Sequence, residues 1–330
     1  MPRTRTAIAR LARWIGLVLL GAATGIWLWH QFGPRRVTVT AGAGPEELVF
    51  VRSADDVVNA GVVFNPPRGT SGPVAVVWVH GWGANFYSPT YVSVGRRLAD
   101  RGVTAIAVNT RMHDLGTTAF YKDGRRVRGG GYWGITSDEE FDIAAWVDFA
   151  ESRGFRRVVL VGHSAGWTEV ARYQATRKDP RVKGLVLASG TATPQAPNRD
   201  PALMDEAARH VQNGRGDELL RLPNRSFPSF VSAATFLDLA NSRPEFLDFF
   251  GIEHGAPGVR EVAVPLLAFF GSRGDVGGEA DLAALTAAAR RHNPSLPVET
   301  AFIGGADHMY TGEEAQVAAV LAGWISRSVK

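Results

Sequence analysis

The chain of 330 residues has no cysteine. That excludes disulfides, thiolate metal sites and a cysteine nucleophile, and leaves the compartment open. It also lacks a real excess of charge of one sign where a folded domain is expected. The formal net charge is +4, but six of the 36 basic residues (Arg3, Arg5, Arg10, Arg13, Arg35, Arg36) lie in the first 36 positions, which hold no acid. The remaining 30 basic residues face all 32 acidic ones, so nothing there argues for nucleic acid as a partner. No internal repeat or low-complexity tract is present. The histidines show no metal-ligand spacing such as His-Glu-x-x-His, and Gly129-Gly130-Gly131 is not followed by the Gly-Lys-Ser/Thr of a phosphate loop. That glycine run reads as a flexible loop at the rim of a site. Glu139, Glu140 and Asp142 read as acids suited to the start of a helix, not as a metal site. No cofactor and no metal are implied.

The chain does contain one long uncharged run, the 16 residues Trp14–Trp29. At ~1.5 Å per residue it falls slightly short of a ~30 Å hydrocarbon core. Leu11, Ala12 and Phe32 extend it if Arg13 snorkels to the headgroups. Trp14, Trp27 and Trp29 mark its ends, and the preceding arginines place the N-terminus in the cytoplasm. The expectation is a transmembrane helix that leaves the catalytic domain outside the cytoplasmic membrane. Two alternatives stand beside it. A cleaved signal peptide would make the protein secreted, although Trp-Leu-Trp-His-Gln-Phe offers no small-x-small site. A buried helix is the other. Residues 1–36 are therefore expected to be an anchor or signal segment, 37–45 a linker, and 46–330 a single domain.

From residue 46 onward, strand and helix patterns alternate. Glu47–Ser53 and Val57–Phe64 read as an edge hairpin turning at Asp55-Asp56. Val74–Val79 is a continuous apolar run, as expected of a strand buried on both faces. Val103–Val108, Arg157–Val161 and Val182–Ala188 repeat it. Helical patterns at Thr90–Arg101, Asp138–Arg153 and Ala165–Arg177 separate these strands. The spacing predicts an α/β fold with a mostly parallel, doubly wound sheet. The alternation stops after Ser189 and resumes with Val264–Phe270, Glu279–His292, Val298–Ile303 and a final helix from Glu313. Residues 191–260 are thus expected to be a helical lid insertion, with short helices such as Pro201–Asn213.

Arg157–Val161 runs directly into Gly162-His163-Ser164-Ala165-Gly166, and a helix follows. A nucleophile elbow needs this context: the turn is so tight that side chains two before and two after the serine would clash. Ser164 is the candidate nucleophile. The N–H of Ala165, at the helix N-terminus, is one candidate oxyanion donor. His80-Gly81-Trp82-Gly83 follows the strand Val74–Val79, and Trp82 is the expected second donor, with Gly81 and Gly83 as alternates. His80 reads as a brace for that loop.

Chain order puts the base last, after the acid. His308 follows the strand Val298–Ile303 and is the candidate base. Histidines 113, 210, 254 and 292 read as surface or packing residues, and His163 as a supporting one. Asp275, just after Val264–Phe270, is the candidate acid that fixes the imidazole tautomer. Asp307 would have to turn back on itself to reach His308, and Asp281 falls on a helix. An acid after the preceding strand is ruled out, because Ser189-Gly190-Thr191 offers none.

With these motifs the chain resembles the α/β-hydrolase superfamily over about residues 46–328. The stretches HGWGANFYSP, NTRMHDLG, GGGYWG, FDIAAWVDF and VGHSAG, with NGRGDELL, SFVSAATFLDLAN and FLDFFG, are similar to the branch that contains fungal siderophore esterases. The resemblance implies a serine esterase that opens a siderophore-type or other small to medium ester through an acyl-enzyme. That branch is generally cytosolic, unlike an anchored chain. Trp167 stands where a small residue is usual, so a reshaped acyl pocket is expected. An acyltransferase with the same triad, or a catalytically dead, membrane-tethered binding protein on this fold, are the alternative readings.

Overall fold

The computed structural model describes residues 45–67, 72–191, 198–223, 228–253 and 257–330. Among these residues the chain forms twelve strands and eight α-helices. The strands are β1 (Glu46–Arg52), β2 (Val57–Phe64), β3 (Val74–Val79), β4 (Thr104–Val108), β5 (Thr117–Tyr121), β6 (Arg126–Gly129), β7 (Arg157–His163), β8 (Val182–Ala188), β9 (Leu219–Arg221), β10 (Phe230–Ser232), β11 (Leu266–Gly271) and β12 (Val298–Ile303). The helices are α1 (Pro89–Ala99), α2 (Glu139–Ser152), α3 (Ala165–Arg177), α4 (Pro201–Gln212), α5 (Ala233–Ala240), α6 (Pro244–Leu247), α7 (Glu279–His292) and α8 (Glu314–Ser328).

Ten strands make one sheet, in the order β12-β11-β8-β7-β3-β4-β2-β5-β6, with β1 on the remaining edge of β2. From β4 to β12 every neighbouring pair is parallel. β2 runs antiparallel and divides one edge between β4, at Gly61–Phe64, and β5, at Val57 and Val58. Every residue of β3, β4 and β11 is buried, as apolar strands covered on both faces should be. Alternate side chains feed two apolar layers. Ala75, Val77 and Val79 face Ile143 and Trp146 of α2, Val170 of α3 and Leu285 of α7. Val74, Val76 and Trp78 face Val94 and Leu98 of α1 and Leu321 and Trp324 of α8.

The expected hairpin is present at β1–β2, where Asp56 closes the turn at φ 70°. A second hairpin, β5–β6, occupies a stretch to which the sequence pattern assigned neither strand nor helix. The glycine run after it is not a free rim loop. Gly130 and Gly131 donate to the carbonyls of Arg111 (2.9 Å) and Asp114 (2.7 Å), and Gly130 holds φ 85°.

The described part of residues 191–260 carries α4, β9, β10, α5 and α6, and none of it joins the main sheet. β8 pairs directly with β11, so the chain leaves the sheet and returns to it without adding a strand. This segment has its own small core, built on Ala207, Leu220, Val231 and Phe236.

No helix among the described residues is long and apolar enough to cross a membrane. The candidate span at residues 14–29 lies outside the described residues.

Candidate active site

β7 ends at His163, and α3 starts at Ala165. The single residue between them, Ser164, holds φ 55° and ψ −121°. A side chain on Gly162 would sit 2.1 Å from the carbonyl oxygen of Gly166, and one on Gly166 would sit 2.5 Å from that of His80. Both positions must therefore be glycine for β7, α3 and the loop after β3 to meet this closely. Gly81 is constrained in the same way, since a Cβ there would lie 2.8 Å from Ser164 Cβ.

The C-terminal ends of β7, β11 and β12 bring Ser164, Asp275 and His308 together, as parallel strands do at the carboxyl edge of a sheet. His308 Nε2 is 3.2 Å from Ser164 Oγ, and His308 Nδ1 is 2.8 Å from Asp275 Oδ1. The Asp275 carboxylate is fully buried. Burial alone would raise its pKa. Hydrogen bonds from His308, from the Ser189 hydroxyl and from the Gly271 and Val276 amides outweigh that and hold it down to about 2. It is thus an anion that orients the imidazole with Nδ1 protonated and Nε2 free to accept the serine proton. Asp307 does not turn back to the imidazole. It accepts from the amides of Met309 (3.0 Å) and Thr311 (2.9 Å) and so shapes the loop that carries His308.

His80 and His163 are both buried, and burial lowers each pKa to about 4, so both are neutral. His80 Nδ1–H donates to Gly81 O (2.7 Å), and its Nε2 accepts from the Thr110 amide (3.2 Å). It braces the loop. His163 Nε2–H donates to His308 O (2.8 Å), which leaves Nδ1 to accept from Tyr91 (2.7 Å). The Tyr91 oxygen in turn accepts from the Gly81 amide at 3.3 Å. Gly81, Tyr91, His163 and His308 thereby form one chain from the loop after β3 to the loop after β12.

That chain engages the Gly81 N–H, which leaves Trp82 and Gly83 of the three candidate donors. Trp82 and Ala165 line the same cleft, together with Gly81. The Trp82 ring packs against the separate core of α4 and α5. Trp167 does not reshape this cleft, contrary to expectation. It is buried beside Phe250 and Phe270, stacked on the latter at 5.9 Å, and is not among the lining residues. Of the other histidines, His113 pairs with Asp114 (2.9 Å), His292 contacts Gly251 O (3.1 Å), and His210 lies between Glu206 and Glu218; His254 lies outside the described residues.

Some participants are not legible in the sequence. Ser189 reads there only as a position without an acid, yet its hydroxyl holds Asp275 and contacts the buried Tyr310. Glu139 and Asp142, which read as acids of a helix start, are buried. Asp142 binds the Arg111 guanidinium (2.9 Å) and Asn59 (2.9 Å), while Glu139 accepts from Thr110.

A strained serine at a strand–helix turn, a buried carboxylate behind an imidazole, and a glycine loop beside it define the hydrolase site of an α/β fold. The comparisons agree. The alpha/beta hydrolase family matches residues 76–320, and the chain belongs to it. Among solved structures, a carboxyl esterase from Bacillus coagulans in complex with glycerol is similar with a TM-score of 0.61 and 15% identity, covering 87% of this chain and 100% of that one. DcsB in complex with its substrate analogue is similar with a TM-score of 0.62 and 17% identity, over 86% of this chain and 99% of the other. Est1E from Butyrivibrio proteoclasticus with bound ferulic acid gives 0.58 and 15%, over 85% and 99%. At such identities the likeness is one of fold. Comparison with curated protein sequences finds no significant match.

Proposed function

We propose that the chain is a serine carboxylic-ester hydrolase in which Ser164, His308 and Asp275 form the triad. The observation that carries this reading is the continuous line from Asp275 through His308 to Ser164, at 2.8 Å and 3.2 Å. His308 Nε2 takes the proton of Ser164 as Oγ attacks the ester carbonyl. The N–H groups of Trp82 and Ala165 hold the oxyanion. His308 then protonates the leaving alcohol, and the acyl group stays on Ser164. The same imidazole activates a water that attacks the acyl-enzyme, releases the acid and restores the serine.

Solved esterases of the same fold support an ester as substrate. A small to medium ester suits the cleft, and a siderophore-type ester is the finer candidate. Residues 191–260 act as the lid, since their described part lies off the sheet between β8 and β11 and packs on Trp82. Residues 14–29 anchor the chain, with the hydrolase domain outside the cytoplasmic membrane.

A fluorophosphonate probe and a series of p-nitrophenyl esters, with a hydroxamate siderophore ester added, test the reading. Labelling of Ser164 and hydrolysis are expected. An unlabelled, inert protein would leave only a binding role on this fold. Transfer to an added alcohol in preference to water would make it an acyltransferase.

A further inference from the structure

The residue after β8 belongs to the site although it carries no charge. Ser189 is fully buried and holds φ 46°, a backbone region that residues with a side chain rarely enter. Its amide donates to Phe269 O at 2.9 Å. The Ser164 amide donates to the preceding carbonyl, that of Ala188, also at 2.9 Å. The end of β8 is therefore tied to the nucleophile on one side and to β11 on the other.

The direction of the hydrogen bonds follows from the carboxylate. Asp275 is an anion and can only accept, so the single proton of Ser189 Oγ goes to Asp275 Oδ2. Ser189 Oγ is left as the acceptor for the Tyr310 hydroxyl. Burial pushes that phenol well above the usual tyrosine range, so it keeps its proton. Tyr310 is fully buried, holds φ 55° and lies two residues beyond His308.

One loop thus reaches the same carboxylate twice. His308 Nδ1 binds Oδ1 at 2.8 Å, and Tyr310 reaches Oδ2 through Ser189. The Val276 and Gly271 amides add one bond each, to Oδ1 at 2.7 Å and to Oδ2 at 2.6 Å. A carboxylate held at both oxygens cannot turn about its Cβ–Cγ bond without stranding a buried donor. The positive end of the Ser189 hydroxyl also offsets part of the charge that the imidazole feels.

We propose that Tyr310 and Ser189 are positioning residues of the triad, a two-hydroxyl relay that sets the angle of the Asp275 carboxylate and tempers the charge it presents to His308. The proposal rests on the esterase reading above. Neither residue lines the cleft that holds Trp82 and Ala165, so kcat and not KM should carry the effect.

Two variants and their combination test this. Ser189→Gly removes the first hydroxyl at a backbone angle that glycine adopts without strain. Tyr310→Phe removes the second while its ring stays against His163 and Phe269. With p-nitrophenyl acetate, Ser189→Gly should lower kcat on the order of tenfold with little change in KM, and Tyr310→Phe should lower it less. Both should move the acid limb of the kcat/KM profile to higher pH, by roughly 0.5 for Ser189→Gly, because the imidazole then faces a less tempered carboxylate. Titratable neighbours are left as they are: His163, whose neutral ring lies 4.9 Å from that of His308, and Asp307, paired with Arg273 at 3.7 Å. Adding Tyr310→Phe to Ser189→Gly should cost nothing further in kcat, since Tyr310 acts through Ser189. An unchanged kcat in Ser189→Gly, an acid limb that stays in place or moves to lower pH, or an additive loss in the double variant overturns the relay and leaves the esterase standing. If Ser189→Gly does not fold, the acid limb of Tyr310→Phe decides alone. A wild-type protein with neither turnover nor fluorophosphonate labelling would remove both readings.

Discussion

Ser164 keeps a backbone conformation that a residue with a side chain holds only when its surroundings enforce it. The contact of Gly162 with Gly166 and of Gly166 with His80 supplies that enforcement. The strain aims Oγ at the imidazole, and under the proposed mechanism the serine and the histidine act as one unit. Ser164→Ala and His308→Ala should each leave a folded protein and lower turnover on the order of 10⁶-fold, and Asp275→Asn on the order of 10⁴-fold. Steady-state rates on a p-nitrophenyl ester check this, and substantial activity in Asp275→Asn would remove Asp275 from its role. Asp275 also sets a pH signature. Its folded pKa, about 2, lies below the ~3.9 of an unfolded aspartate. The stability it contributes is thus fully present above about pH 4 and is lost as the pH falls toward 2. Acid titration of unfolding should show a shallower loss in that window for Asp275→Asn than for the wild type; an identical profile would contradict the depressed value. These three residues are legible in the sequence because each directly follows a strand pattern, where the fold delivers side chains to one edge. Glu139 and Glu169 are not, because two different helices, α2 and α3, bring them together and no spacing along either one records it. Trp167 misleads for a related reason: its place in the motif does not say whether its ring turns to the cleft or to the core.

The elements meet through polar links that periodicity does not reveal. Tyr91 on α1 accepts from the Gly81 amide and donates to His163, whose other nitrogen holds the His308 carbonyl. Gly81, Tyr91 and His163 are buried, so removing the hydroxyl strands the Gly81 amide and the His163 nitrogen. Tyr91→Phe should cost about 1–3 kcal/mol of stability. It should lower kcat with little change in KM, because the loops that carry the oxyanion donors and the base lose their common tie. A change in KM alone would place Tyr91 outside this network. Gly162→Ala is the harsher case, since its Cβ would overlap the Gly166 carbonyl oxygen. It should cost about 3 kcal/mol or more and show as a loss of soluble, folded protein; a normally stable variant would mean the elbow has room that the geometry denies. The long apolar strands and their helices are legible to within one or two residues, because a short, wholly apolar run between helical patterns suits a strand covered on both faces and little else. The β5–β6 hairpin is harder to see although its signal is present. Asp123-Gly124 forms its turn, with Gly124 at φ 86°, between short strands that are largely exposed. Such strands carry little apolar contrast, so only the turn residues announce them.

At the scale of the whole molecule, β1 is the first element among the described residues. Glu46 pairs with Arg96 of α1 (2.5 Å), and Glu47 with Arg153 beyond α2 (2.8 Å), so the first strand is tied to a helix on each face of the sheet. Among the described residues, every strand of the main sheet lies at or after Glu46. The six arginines and the 16-residue uncharged run therefore precede a domain whose own charge is close to balanced. Under the proposed topology the arginines at 3, 5, 10 and 13 stay on the cytoplasmic side, residues 14–29 cross, and 37–45 link to the domain. Deletion of residues 1–36 should then give a soluble protein with unchanged thermal stability and an unchanged rate on small esters. The full chain should sediment with membranes, resist washing in high salt and retain its N-terminus. Three measurements decide the matter: the mass of the mature protein, its partition after a salt wash, and the melting curve of the truncated form. A mature N-terminus between about Gly21 and Pro34 would replace the anchor with a cleaved signal. A truncated protein that melts well below the full chain would mean that the apolar run packs on the domain. The span would then be part of the fold, because an apolar helix buried against the domain contributes to its stability, whereas one embedded in lipid leaves the domain's melting unchanged.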